Sequence, residues 1–372
     1  MKLIVLRNNL KDGLDAIGRV VGDTGSTLPI LKNFLMETVD GRIKLSATNL
    51  ELAVTCFVSG KIVEAGSITI PLNIFASVVN NLQSERVSLE TIGDHLVAKT
   101  DNYEAKIQGI KKEEFPIIPK PNNHQYFIEV AADSLRDALS SVMGAAQIAG
   151  LRPELNSVLF DYQISVLKLV ATDTFRLAEK TLTESQFKAN IDKTFKAIIP
   201  LKTINEVARI FKEDKEKVGF YFDPSQVLIK NENMEIISRL ANGDFPDYQP
   251  IIPRETETEI TLSRNELINA LKLTGSFTDR LSEVRLVVRD GAKNIEIYSS
   301  NQALGENRYL IPAKIKGAPL EAVFNWRYLM DGLKGLSAEG ISLGLNGSDR
   351  PATVRTPGDA SYLYILMPIK AA

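Results

Sequence analysis

Val170-Ala171-Thr172-Asp173-Thr174-Phe175-Arg176-Leu177-Ala178 is the stretch from which the fold can be read. The β-prone run Val166 to Val170 leads into it as a buried strand would. Thr172 and Asp173 then bring side-chain oxygens that can bond nearby backbone and turn the chain. Thr174, Phe175, Arg176 and Leu177 place an aromatic, a guanidinium and an aliphatic side chain close together, a mixture suited to an anchor pocket for a peptide. Alone, this is an ordinary strand-turn-strand. Its weight comes from recurrence: Ala47-Thr48-Asn49-Leu50-Glu51-Leu52 follows the strand-like run Ile43 to Leu45, and Ser299-Ser300-Asn301-Gln302-Ala303-Leu304 follows Ile295 to Tyr298.

Thr48, Thr172 and Ser300 are separated by 124 and 128 residues, a domain-sized period that implies three copies of one domain. Other markers keep the spacing. Leu10, Leu14 and Ile17 make the stripe of an amphipathic helix, repeated by Leu135, Leu139 and Val142 and by Leu267, Leu271 and Thr274. A second helix opens in each copy at Ile70-Pro71-Leu72, Ile199-Pro200-Leu201 and Phe324-Asn325-Trp326; proline's fixed φ and missing N–H suit a helix start. Phe115-Pro116-Ile117-Ile118-Pro119 closes the first copy and Phe245-Pro246-Asp247-Tyr248 the second. Each copy reads as helix, strands, helix, strands, an α+β class, with domains over 1–123, 124–255 and 256–372.

The 372 residues suffice for three cored domains, and 44% hydrophobic with 24% charged residues is ordinary for a soluble protein. No apolar run has the length of a membrane span and the N-terminus lacks a signal-peptide pattern, so the expected location is cytoplasmic. The single cysteine, Cys56, reads as a small core residue. A net charge of −2 requires any nucleic-acid surface to be segregated onto one face. His95 and His124 lack metal-ligand partners at suitable spacing, and Gly-Leu-Lys-Gly-Leu-Ser at 332–337 lacks the ending of a phosphate loop. No metal, cofactor or catalytic set is implied, which argues against an enzyme.

At this point the chain closely resembles the bacterial DNA polymerase III beta-subunit family. The pieces that carry the resemblance are Thr27-Leu28-Pro29-Ile30-Leu31-Lys32-Asn33, Ala171 to Leu177, Asp244-Phe245-Pro246-Asp247-Tyr248, Ser300-Asn301-Gln302-Ala303-Leu304-Gly305-Glu306, and Tyr364-Ile365-Leu366-Met367-Pro368-Ile369-Lys370. The resemblance implies a DNA-clamp fold: three tandem domains, each with two helices and two antiparallel sheets, closing as a head-to-tail homodimeric ring around duplex DNA. It implies a non-catalytic processivity factor that tethers the DNA polymerase III alpha subunit, the clamp loader and other proteins with a clamp-binding motif. The alternative is a protein-only scaffold of the same fold. The family often has an Arg before Thr-Leu-Pro-Ile-Leu, where Thr24-Gly25-Ser26 stand here. Its turn usually reads Ala-Thr-Asp-Gly-His-Arg-Leu, and Thr174 and Phe175 replace Gly-His.

Site residues follow by the same resemblance. Leu155, Thr172, Thr174, Phe175, Arg176, Leu177, Pro246, Ile251, Ile365, Met367, Pro368 and Ile369 would form a groove between domains two and three for a Gln-led peptide ending in Leu and Phe. Backbone carbonyls or Thr172 would serve the Gln amide, and Arg176 would pack its stem on the ligand with its head in water. Arg152, Lys202, Arg209, Lys272 and Arg327, on polar helix faces or in the loop after one, would meet phosphates without reading bases. The dimer seam would join the alternating strand that holds Tyr103, Ala105 and Ile107 to a domain-three strand near Leu273 to Phe277.

Overall fold

The computed structural model describes residues 1–21, 28–119, 127–148, 150–212 and 216–370. Thr24 to Ser26, Thr27, the first domain boundary at 123, His124 and Ala371-Ala372 lie outside the described residues. Among those described, six α-helices occur: α1 (Arg7–Val21), α2 (Leu72–Asn81), α3 (Ala132–Met143), α4 (Leu201–Ile210), α5 (Arg264–Gly275) and α6 (Trp326–Lys334). The stripes Leu10-Leu14-Ile17, Leu135-Leu139-Val142 and Leu267-Leu271-Thr274 are buried. Thr274 fits an apolar stripe because its hydroxyl donates to Ala270 O, at 2.7 Å, inside its own helix. Pro71 and Pro200 sit at the N-caps of α2 and α4. Asn325 caps α6, its Oδ1 accepting from the amides of Arg327 and Tyr328. A short strand precedes the first helix of each copy, Lys2–Leu6, Phe127–Ala131 and Thr258–Ser263, which the helix-first reading missed.

The chain divides into two compact units, residues 1–129 with 216–240, and residues 130–215 with 241–372. They do not follow the three repeats because strand pairing crosses repeat boundaries. In the first unit, strand Leu52–Val58 pairs antiparallel with Met234–Arg239. It thereby joins Lys217–Phe222, Gln226–Lys230 and Met234–Arg239 to the first repeat's Arg42–Thr48, Asn33–Val39 and Ser67–Pro71. A separate sheet runs in the order Gly60–Glu64, Lys2–Leu6, Arg86–Ile92, His95–Lys99, Glu104–Gln108, the last being an edge. Cys56 is buried; burial, then the Asp12 carboxylate, pushes its thiol up to about 11.

In the second unit twelve strands form one continuous order. At its centre Arg176–Thr183 pairs antiparallel with the C-terminal strand Tyr362–Leu366. Further along, the long strand Gly305–Gly317 pairs with Asn294–Asn301 through its first half and with Thr258–Ser263 through its second. Helices α3 and α4 pack together, as do α5 and α6, and α3 also contacts α6. Tyr362 links these last two, its hydroxyl lying 3.3 Å from Ser141 O and 3.1 Å from Gly332 O.

Two expectations are corrected. Leu273 lies on α5 and Phe277 just beyond it, so no strand exists there; the strand is implied by the resemblance alone, whereas the i, i+4, i+7 stripe makes this stretch helical. Ile107 is 5% exposed, with its side chain turned into the first unit's core. Alternation along Glu104–Gln108 puts Ile107 inward and leaves its neighbours outward.

Candidate peptide groove and basic helix face

The opening stretch forms its turn through side chains. Asp173 Oδ1 accepts from the amides of Phe175 and Arg176, both at 3.0 Å, and Thr172 Oγ1 donates to Arg176 O at 2.6 Å. Asn49 does the same for Glu51 and Leu52, and Asn301 for Ala303 and Leu304. The repeated polar residues are thus Asx turns that launch the strand following each one. Thr174 sits at φ 76°, a conformation unfavourable for a β-branched residue, because the turn's two carboxylate-bound amides dictate it.

Beside this turn is a cavity of about 290 Å³, lined by Thr172, Thr174, Phe175, Arg176, Leu177, Pro246, Asp247, Tyr248, Ile251, Ile365 and Met367. Its floor is a buried cluster of Leu159, Val170, Leu177, Ile198, Tyr248 and Ile365. Its rim carries Phe175, 60% exposed, and Ile251, 45% exposed. The Met367 amide donates to Phe175 O at 2.8 Å, fastening the C-terminal segment to the turn. The lining can take aliphatic or aromatic side chains, with the Asp247 carboxylate for a polar end.

Three of the expected groove residues lie apart from this lining. Leu155 is buried behind the loop, at 2% exposure. Pro368 is buried, and the Ile369 amide donates to Val323 O at 2.7 Å, so both follow the chain away from the cavity. Tyr248 and Asp247 line it instead. Their signal was the Phe-Pro-Asp-Tyr sequence, read as the end of a repeat and a mark of the family, with only its Pro246 assigned to the groove. Tyr248 donates to Glu179 Oε2 at 2.5 Å, while Lys168 holds Oε1 at 3.0 Å. Burial, then the Glu179 carboxylate, raises the tyrosine hydroxyl well above its usual value.

Arg176 does not keep its head in water. It is 7% exposed, with Nε 2.9 Å from Asp173 Oδ2, Nη1 2.5 Å from Asp331 Oδ2, and its guanidinium 4.0 Å from the Tyr328 ring centre. Two carboxylates and a ring face together outbid solvent. The Thr172 hydroxyl is 5% exposed and already donates to Arg176 O and accepts from the Thr174 amide, which leaves one lone pair.

Of the candidate phosphate contacts, Lys202, Lys272 and Arg327 are exposed on α4, α5 and α6. Arg327 Nε donates to Ser282 Oγ at 3.2 Å and its guanidinium lies 4.8 Å from the Trp326 ring centre. Arg209 is tied to Glu206 at 2.6 Å, and Arg152 to Glu154 at 2.8 Å. Tyr103 and Leu273 are 40% and 52% exposed; Ala105 and Phe277 are half-buried.

Models of the DNA polymerase III beta subunit match nearly the whole chain: the N-terminal domain over residues 1–119, the central domain over 129–247 and the C-terminal domain over 249–370. The chain belongs to the DNA polymerase III beta-subunit family. It is similar to the beta sliding clamp of Bacillus subtilis, at 26% identity with both chains fully covered. The beta sliding clamp of Chlamydia pneumoniae is 28% identical, over 100% of this chain and 99% of that one. The crystal structure of the DNA polymerase sliding clamp from Bacillus subtilis superposes with a TM-score of 0.94 at 25% identity, again over both full chains. Membership accounts for the three-domain clamp fold and for a non-catalytic chain. Thr174 and Phe175, the two departures from the family's turn, stand on the rim of the groove, and neither belongs to its floor cluster.

Proposed function

We propose that this chain is a DNA sliding clamp, a processivity factor that encircles duplex DNA as a head-to-tail homodimer and tethers the replicative polymerase. One observation carries the reading. Leu52–Val58 and Arg176–Thr183, each launched by an Asx turn, pair with the last strand of the next repeat, Met234–Arg239 and Tyr362–Leu366. The third such strand, the first half of Gly305–Gly317, has no neighbour on its outer side among the described residues. Neither has Glu104–Gln108, the last strand of the first repeat. A second copy supplies the missing pair twice over, which closes the assembly and removes the open edges. The seam is therefore main-chain pairing, with Tyr103, Leu273 and Phe277 supplying apolar cover and Ile107 supporting the strand from behind.

The domain limits we propose are 1–123, 124–255 and 256–372. Lys202, Lys272 and Arg327 meet phosphates on the helix face, and Arg152 and Arg209 do so by exchanging their carboxylate partners for phosphate. Such contacts are sequence-independent and weak enough to slide, while topology supplies the residence time. The groove beside Thr172–Leu177 captures short peptides from the polymerase alpha subunit, the clamp loader and other partners. No described helix is long and apolar enough to cross a membrane, and the protein works in the cytoplasm.

Sedimentation with nicked circular DNA tests the reading. The protein should co-sediment with the circle and be released when the circle is cut to a linear form. Equal retention on both forms would mean that the protein binds DNA without encircling it, and none on either would leave a protein-only scaffold.

A further inference from the structure

The turn that borders the peptide groove has a counterpart in the first unit, and so does the cavity. Thr48 Oγ1 donates to Leu52 O and accepts from the Leu50 amide, reproducing the bonds of Thr172. Beside it lies a cavity of about 260 Å³. Its walls correspond to those of the first groove position by position. Ala53 stands where Leu177 stands and Ile237 where Ile365 stands; Ile117 and Ile118 replace Asp247 and Tyr248. The floor is the buried cluster Ala53, Leu228 and Ile237, with Ile118 and Tyr221 packed against it.

We propose that this cavity is a second peptide-binding groove, selective for an extended segment that carries an acidic residue ahead of its apolar anchors. Two apolar side chains at its rim face water: Ile117 is 93% exposed and Leu50 49%. Leu50 is also held at φ 77°, which costs a residue with a Cβ about 1–2 kcal/mol. A glycine or asparagine would avoid that cost, so an exposed leucine there is retained against local preference, as happens where a surface binds something. The rim charges then choose the ligand. Arg239 takes the position of Met367, and Glu51 that of Phe175. Both are exposed, and neither side chain makes an ion pair among the described residues. Arg239 therefore offers a vacant cation to an incoming carboxylate, where the first groove offers a neutral thioether. Ala53 opens the space that Leu177 fills in the first groove, so the floor has room there for a Leu or Phe anchor.

The inference rests on the reading of the first groove only for the length and anchors of the probe. The test titrates fluorescein-labelled Asp-Leu-Ser-Leu-Phe, Gln-Leu-Ser-Leu-Phe and Lys-Leu-Ser-Leu-Phe by anisotropy against the intact chain, the chain ending at residue 366, and Arg239→Glu. The substitution is on an exposed side chain, so the variant should fold, which circular dichroism checks. The Asp-led peptide should bind the intact and shortened chains alike. It should lose about tenfold on Arg239→Glu, the size of one surface attraction turned into a repulsion, and the Lys-led peptide should gain on that variant. The Gln-led peptide should be unaffected by Arg239→Glu and lost on shortening; if it binds no form while the Asp-led peptide behaves as stated, the first groove's reading fails alone. Loss of the Asp-led peptide on shortening, equal binding to the intact chain and Arg239→Glu, or no binding of it at all overturns the second groove.

Discussion

Arg176 and Asp331, 155 residues apart, meet through a 2.5 Å bond from Nη1 to Oδ2 in a place where the guanidinium is 7% exposed. The bond joins the wall of the peptide groove to α6, the helix that also bears Arg327. Asp331 is shared with Lys334, at 2.7 Å, on its wetter side.

Breaking this pair should be costly in an asymmetric way. Arg176→Ala leaves Asp173 without its cation and Asp331 with Lys334 alone, and removal of one partner of a buried pair costs about 3–5 kcal/mol. Asp331→Asn keeps an acceptor oxygen and Asp173 still holds the guanidinium, so it should cost about 1–2 kcal/mol. Urea unfolding of both variants gives the comparison; equal losses would show that Asp173 contributes nothing.

Thr174 is a target for stabilisation. Its φ of 76° strains a β-branched residue by about 1–3 kcal/mol, whereas glycine there adds only about 0.5–1 kcal/mol of chain entropy. Thr174→Gly should therefore gain about 1 kcal/mol net, visible as a higher thermal midpoint. A lower midpoint would mean that the threonine side chain makes contacts worth more than the strain.

Tyr248 sets an alkaline limit. Its hydroxyl is raised from an ordinary 10.0 by burial and by Glu179. In the unfolded chain it would lose its proton near pH 10 while the folded chain keeps it. Stability from this group is thus complete below pH 10 and declines as pH rises beyond it. Tyr248→Phe should be less stable at neutral pH, for loss of the hydrogen bond, yet show a shallower decline between pH 10 and 11. Parallel declines would place the alkaline sensitivity in other buried tyrosines such as Tyr364, whose hydroxyl is raised first by burial.

The seam and the core can be separated by two substitutions. Leu273→Asp changes a residue 52% exposed on α5 and should give folded monomers by analytical ultracentrifugation. Ile107→Asp buries a carboxylate in the first unit and should destabilise the fold itself by several kcal/mol, roughly 3 or more. A stable, monomeric Ile107→Asp protein would contradict the inward orientation of that side chain.

Salt dependence gauges the helix face. Lys272 and Arg327 replaced together by alanine should flatten the slope of log K against log salt for duplex DNA by about 1.8, at roughly 0.9 per phosphate. An unchanged slope would remove both from the DNA surface.

The triple repeat, the helix stripes and the turn residues were legible in the sequence because each depends on neighbours within a few positions. Thr172 and Asp173 bond backbone groups two to four residues on, and Leu135, Leu139 and Val142 share a face by helical geometry alone. Leu177, Ile365 and Met367, grouped by the resemblance, line one cavity. What only the tertiary structure decided involves partners distant in the chain. Arg176 looked like a wet rim residue until Asp331 and Tyr328, from another repeat, closed over it. Tyr248 looked like a terminator until Glu179 gave its hydroxyl a buried partner. Leu155 turned inward through packing that no local pattern records, and which face of the alternating strand of Ile107 turned inward was settled by the core it meets. Strand pairing between repeats, as in Leu52–Val58 with Met234–Arg239, likewise depends on edges left open by one fold and matched by the next. Short-range geometry writes itself into residue spacing; the burial of a charge or the filling of an edge is settled only when segments far apart in the chain compete for the same space.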